Sequence, residues 1–139
     1  NRPLIDKGIL NSIKIGNESK PLINPNSLIL SSFAERALST AKIVVDQWNL
    51  PSQSIIVKNE LYTFDCKQLE RIIKTCPDSC NSLIVFGHNS AITDFVNKFG
   101  DIFIDNVPTS GLVSLIFDSN SWSTISKGKT NTILFPRDI

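Results

Sequence analysis

His88 is the only histidine in the sequence, and its side chain can exchange a proton near neutral pH. It directly follows Gly87 and the apolar run Leu83–Phe86, which is typical of a buried strand. Glycine at that point lets a ligand approach the backbone, and an imidazole there can donate a hydrogen bond to a phosphoryl oxygen or transfer a proton. The alternative is a histidine that caps the following helix and binds no ligand.

Arg36 occupies a similar position after another apolar run, Leu28–Leu30. The pattern places this arginine in the first turn of a helix, where the positive end of the helix dipole repels a cation. An anion bound between the two would remove that conflict, because a guanidinium grips phosphate through paired hydrogen bonds. The alternative is a solvated surface arginine that pairs with Glu35 or Asp46.

The cysteines, Cys66, Cys76 and Cys80, are few and odd in number, which suits reduced thiols better than a disulfide framework. Cys76 and Cys80 are close enough in sequence to suggest a metal site. Tetrahedral zinc needs four ligands, however, and the sequence offers one histidine and no second cysteine pair. We therefore predict ordinary thiols near a helix end and no zinc site.

Both candidate residues require a sheet whose strands end at a common edge. The predicted elements are a helix around Lys7–Ile15, a loop at Asn17–Ser27, strands at Leu28–Leu30, Ile55–Val57, Ser82–Phe86 and Leu112–Phe117, helices at Ala34–Trp48, Lys67–Thr75 and Ala91–Lys98, and further strands at Trp122–Ser126 and Thr132–Phe135. Ser31 or Ser32 is expected to cap the second helix. The alternation of strands and helices predicts a layered α/β domain with a largely parallel sheet, whose ligands gather at the carboxyl ends of the strands.

The composition is that of one domain spanning residues 1–139, with 41% hydrophobic residues. The formal net charge of +1 gives no electrostatic reason to expect a nucleic acid or an anionic membrane as partner. The apolar runs are far shorter than a bilayer span, so a cytoplasmic protein is the default prediction. The sequence contains no signal for an oligomeric state.

Several short motifs occur in an order typical of one protein family. They are Arg2-Pro3-Leu4, Gly8, Leu28–Ser32 followed by Arg36-Ala37 and Thr40-Ala41, Leu61-Tyr62, Gly87-His88-Asn89, and Pro108–Gly111. Each motif is weak alone, but together and in this order they resemble the SixA-type phosphohistidine phosphatases of the histidine phosphatase superfamily. The resemblance implies a three-layer α/β/α fold with a phosphoglycerate-mutase-like mixed sheet that is mostly parallel.

The resemblance also implies roles for individual residues. Arg36 matches the arginine that binds the phosphoryl group, and His88 matches the second active-site histidine, so these two are the predicted catalytic residues. The implied substrate-binding residues are Arg2, Arg36, His88, Asn89, Thr109 and Ser110. The implied substrate is a phosphorylated protein or small molecule, hydrolysed through a covalent phosphohistidine without a metal or organic cofactor. This sequence departs from the family at Phe33, Ser39 and Ser90, which stand where proline, glutamine and proline are usual.

The nucleophile of the family has no counterpart in these residues. Family members open with a strand that ends in Arg-His, and that histidine attacks phosphorus, whereas the single histidine here matches the other one. We therefore expect the first, internal strand of the sheet to be missing. Leu28–Leu30 should then pair with Leu83–Phe86, while Leu83–Phe86 and Leu112–Phe117 should be separated by a gap of one strand.

Two other functional classes are compatible with parts of the sequence. The first is a catalytically inactive relative that still binds phosphorylated ligands through Arg36 and His88. The second is an unrelated nucleotide-binding α/β domain, which is disfavoured because the sequence contains neither a G-x-G-x-x-G motif nor a P-loop.

Overall fold

The computed structural model describes residues 6–139, so Arg2 lies outside the described part of the chain. Residues 6–139 contain four α-helices, five β-strands and several short 3-10 turns. The elements are α1 Asp6–Ser19, β1 Leu28–Ser31, α2 Glu35–Gln47, β2 Ile55–Val57, α3 Cys66–Lys74, β3 Leu83–Phe86, α4 Ala91–Phe99, β4 Leu112–Ile116 and β5 Lys129–Leu134. None of the helices in this range is both long and apolar enough to cross a membrane.

Three of the strands form a parallel sheet in the order β2-β1-β3. β1 lies in the middle, with Ile29 opposite Ile55 on one side and opposite Ile84 on the other. The predicted pairing of Leu28–Leu30 with Leu83–Phe86 is therefore confirmed. β4 and β5 form a separate antiparallel pair, whose register is interrupted at Ser114/Leu115.

Successive side chains of β1 point into two different cores, because neighbouring residues of a strand face opposite sides of the sheet. Ile29 packs with Val44 and Trp48 of the α2 side. Leu30 belongs to the other cluster, which includes Phe95 of α4. Helices thus cover both faces of the sheet, as the predicted layered α/β fold requires.

The strands β3 and β4 belong to different sheets, and a cavity of about 650 Å³ is lined by residues of both. The four side chains of β3 are only half-buried, whereas three of the four in β1 are buried. The separation of these two strands agrees with the expected gap. That the gap corresponds to a missing first strand stays a prediction.

Two of the predicted boundaries are wrong for identifiable reasons. α1 continues to Ser19 instead of ending in a loop at Asn17, and the Ser19 hydroxyl joins two helices by donating to Ile15 O at 2.6 Å and accepting from Trp48 Nε1 at 2.9 Å. The segment predicted as a strand at Trp122–Ser126 contains a 3-10 turn at Trp122–Thr124. There the Trp122 indole donates to Cys80 O at 2.7 Å, so tertiary contacts fix the local conformation.

The close contact between α1 and α2 at Gly16 gives a stability prediction. A Cβ atom added at Gly16 would lie 2.5 Å from Gln47 Cβ, which is attached to the helix backbone and cannot rotate away. Gly16→Ala should therefore lower the free energy of unfolding by about 1–3 kcal/mol, despite the higher helix propensity of alanine. Urea unfolding measures the change, with exposed Asn17→Ala as the control on the same helix, and equal midpoints for the two variants would contradict the prediction.

Candidate functional site

The candidate site lies where the three parallel strands end. Strand pairing is continued at this edge by Lys58 N–H, which donates to Ser31 O at 2.9 Å, and by Ser32 N–H, which donates to Phe86 O at 3.0 Å. Because these bonds fix the strand ends side by side, the loops after β1, β2 and β3 emerge together. Arg36 follows β1 and His88 follows β3, and both line the same cavity.

The His88 ring is held by a buried serine. His88 Nε2 lies 2.9 Å from Ser32 Oγ, and the same oxygen accepts a hydrogen bond from Ala34 N–H at 3.2 Å. Since Ser32 Oγ already accepts one bond, its own proton is available for His88 Nε2. Burial lowers the pKa of His88 from its ordinary value, because it disfavours the charged imidazolium and so favours the neutral imidazole.

The expected serine cap of α2 is wrong. Ala34 is the N-cap residue, and no side chain caps the helix. The Ser32 hydroxyl instead accepts a bond from Ala34 N–H, just before the helix, and also contacts His88. Ala34 offers no side-chain acceptor to the first turn of α2, and the N-terminus of a helix favours anions.

Arg36 lies in that first turn, as the sequence predicts. Its side chain is exposed at the rim of the cavity. The ion pairs found among residues 6–139 join Glu70 to Lys74 and Lys98, and Arg137 to Asp138. The predicted alternative, a pairing of Arg36 with Asp46, is not among them.

Asn89 borders the cavity, but its amide is used within the protein. Its Oδ1 accepts bonds from Thr93 N–H at 3.1 Å and Thr93 Oγ1 at 2.8 Å, and its Nδ2 donates to Val107 O at 2.7 Å. These bonds join the start of α4 to the loop that follows it. The structure gives Asn89 a positioning role, and its predicted contact with substrate stays a prediction.

Thr109 and Ser110 also line the cavity, from the loop that precedes β4. Ser110 has a positive φ of 66°, and its Oγ lies 3.0 Å from Ser12 Oγ of α1. Ser12 donates its own proton to Gly8 O at 2.8 Å, so Ser110 is the donor to Ser12. This bond ties the loop to α1, and the predicted substrate contacts of Thr109 and Ser110 stay predictions.

Sequence reasoning missed the aromatic side chains around His88. Tyr62 and Phe64 meet the imidazole edge-to-face, with ring centroids 5.2 and 5.8 Å from it, and Phe33 lies 5.2 Å from Tyr62. We call Phe33, Tyr62 and Phe64 the aromatic rim. The signal in the sequence was Tyr62-Thr63-Phe64, two aromatic residues in a loop that follows a strand.

Metal binding has no evident site in this part of the molecule. Across the described range, 6–139, no three His, Cys, Asp or Glu side chains are grouped so that they could hold a metal ion. The three cysteines are free thiols, and burial is the main cause that raises the pKa of Cys76 to about 12. At neutral pH that thiol is protonated and is a poor metal ligand.

Comparison with solved structures places this architecture among the histidine phosphatases. The structure of the protein histidine phosphatase SixA complexed with tungstate superposes with a TM-score of 0.76 at 25% identity, over 99% of this chain and 86% of the other. A protein assigned as SixA from Agrobacterium tumefaciens gives a TM-score of 0.74 at 21% identity, over 96% and 83% of the two chains. Another, from Nakamurella multipartitia, gives 0.75 at 14% identity, over 98% and 86%.

The chain therefore has the histidine phosphatase fold, a mixed α/β architecture with a mostly parallel sheet. The structural neighbours within that fold are SixA phosphohistidine phosphatases. No family model matches the chain, and no curated protein sequence matches it either. The fold is thus established by three-dimensional similarity.

Because His88 is the only histidine, its protonation is a direct test of anion binding at the site. In the free protein its pKa should lie below the ordinary value, since burial disfavours the charged imidazolium. Sulfate, which stays a dianion throughout the pH range in which an imidazole titrates, should raise the pKa of His88 because a nearby negative charge stabilises imidazolium. An NMR titration of the imidazole protons with and without sulfate measures the shift. An unchanged pKa at saturating sulfate would place the anion away from His88.

Proposed function

We propose that the protein is a phosphohistidine phosphatase, which hydrolyses a phosphorylated protein or small molecule through a covalent phosphohistidine. The observation that supports this most is the meeting of Arg36, His88 and the N-terminal end of α2 at one cavity at the sheet edge. All three favour a phosphoryl group there. The structural neighbours, one of them named as a protein histidine phosphatase, support the same reaction class.

Each residue has a distinct part in the proposed reaction. Arg36 binds two phosphoryl oxygens and neutralises their charge in the transition state, and His88 donates a hydrogen bond to a phosphoryl oxygen from its ring N–H. Ser32 orients the His88 ring through its bond to Nε2. A histidine other than His88 attacks phosphorus, and the bond from phosphorus to the protonated imidazole of the substrate breaks, so that this imidazole leaves in its neutral form. Water then attacks phosphorus and releases phosphate from the nucleophile. The leaving imidazole needs little help from a general acid, and the scheme uses no metal or organic cofactor.

The first prediction of this proposal concerns turnover. The 139 residues tested by themselves should bind phosphate but not hydrolyse phosphohistidine or p-nitrophenyl phosphate. The covalent route requires a second histidine in addition to His88, and His88 is the single histidine of these residues. Turnover that His88→Ala abolishes would show that this account of the nucleophile is wrong.

The same assay on the product of the complete gene separates the enzyme from the alternative, a catalytically inactive phosphate-binding relative. Hydrolysis by that product supports the phosphatase. Phosphate binding without hydrolysis supports the inactive relative.

Arg36 gives the second prediction. Arg36→Ala should weaken the binding of inorganic phosphate by about 1.5–3 kcal/mol, because a charge-assisted hydrogen-bond donor is lost. Arg36→Lys should recover only part of this, since an ammonium does not reproduce the paired donors of a guanidinium. Isothermal titration calorimetry measures both affinities, with Arg137→Ala as the control, because Arg137 is exposed and does not line the cavity. Equal affinities for the wild type and Arg36→Ala would remove Arg36 from the site.

A further inference from the structure

The aromatic rim stands beside the proposed phosphate site and has no part in the reaction as derived above. Phe64 lines the same cavity as Arg36 and His88. Tyr62 packs against both rings at this point, with its centroid 5.9 Å from that of Phe64 and 5.2 Å from that of His88. The rim is therefore a supported surface next to the phosphate-binding groups.

The three rings of the aromatic rim are also largely exposed to solvent. Phe33, Tyr62 and Phe64 expose 44%, 49% and 59% of their surfaces, respectively. Single exposed apolar residues are ordinary, but contiguous exposed apolar surface often marks a binding site. These rings come from the loops after β1 and β2, two neighbouring strands, and β1 also pairs with β3, the strand that precedes His88. The fold thus places the rim where the group attached to a bound phosphoryl would lie.

We propose that Phe64, supported by Tyr62, determines substrate specificity by packing against a flat aromatic ring that is attached to the phosphoryl group either directly or through one oxygen atom. This inference rests on the proposed function, because it assumes that Arg36 and His88 bind the phosphoryl group. Aromatic rings attract each other at centroid separations of 4.5–7 Å, the range that the rings around His88 already occupy. An aliphatic phosphate offers no such ring and gains less from the contact.

Two kinds of substrate share this chemistry, the imidazole ring of phosphohistidine and the phenol ring of phosphotyrosine. In phosphohistidine a ring nitrogen carries phosphorus directly, whereas in phosphotyrosine one oxygen atom lies between phosphorus and the ring. The two rings also differ in size and polarity. Phosphonates with a stable bond between phosphorus and carbon represent each class without being hydrolysed. A pyrazole phosphonate stands for the five-membered ring, phenylphosphonate for the six-membered ring, and methylphosphonate for a phosphoryl group without a ring.

The test is a set of affinities measured by calorimetry on the 139-residue chain. The quantity of interest is the ratio of the methylphosphonate Kd to the Kd of each aromatic phosphonate, because common effects on phosphoryl binding cancel in it. We expect the wild type to prefer an aromatic phosphonate by about threefold to tenfold. Phe64→Leu, which keeps an apolar side chain but removes the ring, should bring the ratio close to one. Phe64→Trp should retain the preference, and Phe103→Leu is the matched control, since Phe103 is 79% exposed and does not line the cavity.

The outcomes separate this inference from the proposed function. If methylphosphonate binds and depends on Arg36, but the ratio in the wild type is near one or is unchanged in Phe64→Leu, the phosphate site stands and the specificity role of Phe64 is wrong. If Phe64→Leu weakens all three ligands equally, the rim only positions His88, and the inference is again overturned. Absence of phosphonate binding that depends on Arg36 and His88 would overturn the proposed function as well. The stronger of the two aromatic ligands identifies the ring class.

Discussion

The burial of β1 on both faces is the constraint on which the rest of the structure depends. Ile29 and Leu30 are adjacent in the chain, yet each belongs to a different hydrophobic cluster, and both are almost fully buried. A side chain of this size contributes about 1.5–3 kcal/mol when it is buried. β1 also pairs with β2 and β3, so its position fixes both helical layers and both neighbouring strands.

The site is a consequence of that position. With β1 in the middle, the segments that carry Arg36, Phe64 and His88 follow three strands that end at one edge. Ser32 then joins the first loop to the third through its bond to His88, while Asn89 attaches the start of α4 to the next loop. Backbone pairing places the three strand ends beside one another, and a few side-chain hydrogen bonds orient the side chains of the site. This order is usual where functional residues lie on loops supported by a rigid sheet.

Side chains along the cavity between β3 and β4 are less buried than those of β1. The residues of β3 are as apolar as those of β1, but they are only half-buried, because the cavity lies along them. Exposed strand edges present unpaired backbone groups, which are costly when they are shielded from water and which can pair with another strand. The surface beside His88 is therefore continuous with the cavity between β3 and β4.

The sequence by itself determined the elements whose pattern is local. Short apolar runs predicted β1, β2, β3 and β4, helical spacing predicted α2, α3 and α4, and the order of motifs predicted the fold that the structural neighbours confirm. The pairing of Leu28–Leu30 with Leu83–Phe86 also followed from that fold. The individual strands and helices depend on residues that are close together in the chain. The strand pairing depends on a topology that the order of motifs identifies.

Only the tertiary structure decided the features that depend on contacts between distant residues. Ser32 is 56 positions away from His88 in sequence, so its role as the partner of the imidazole, and not as a helix cap, has no local signal. The same holds for the 3-10 turn at Trp122–Thr124, which is anchored by Cys80, and for the rim formed by loops after two different strands. Local propensity describes what a segment prefers alone. Hydrogen bonds and ring contacts between segments outweigh that preference, and they exist only once the sheet has brought the segments together.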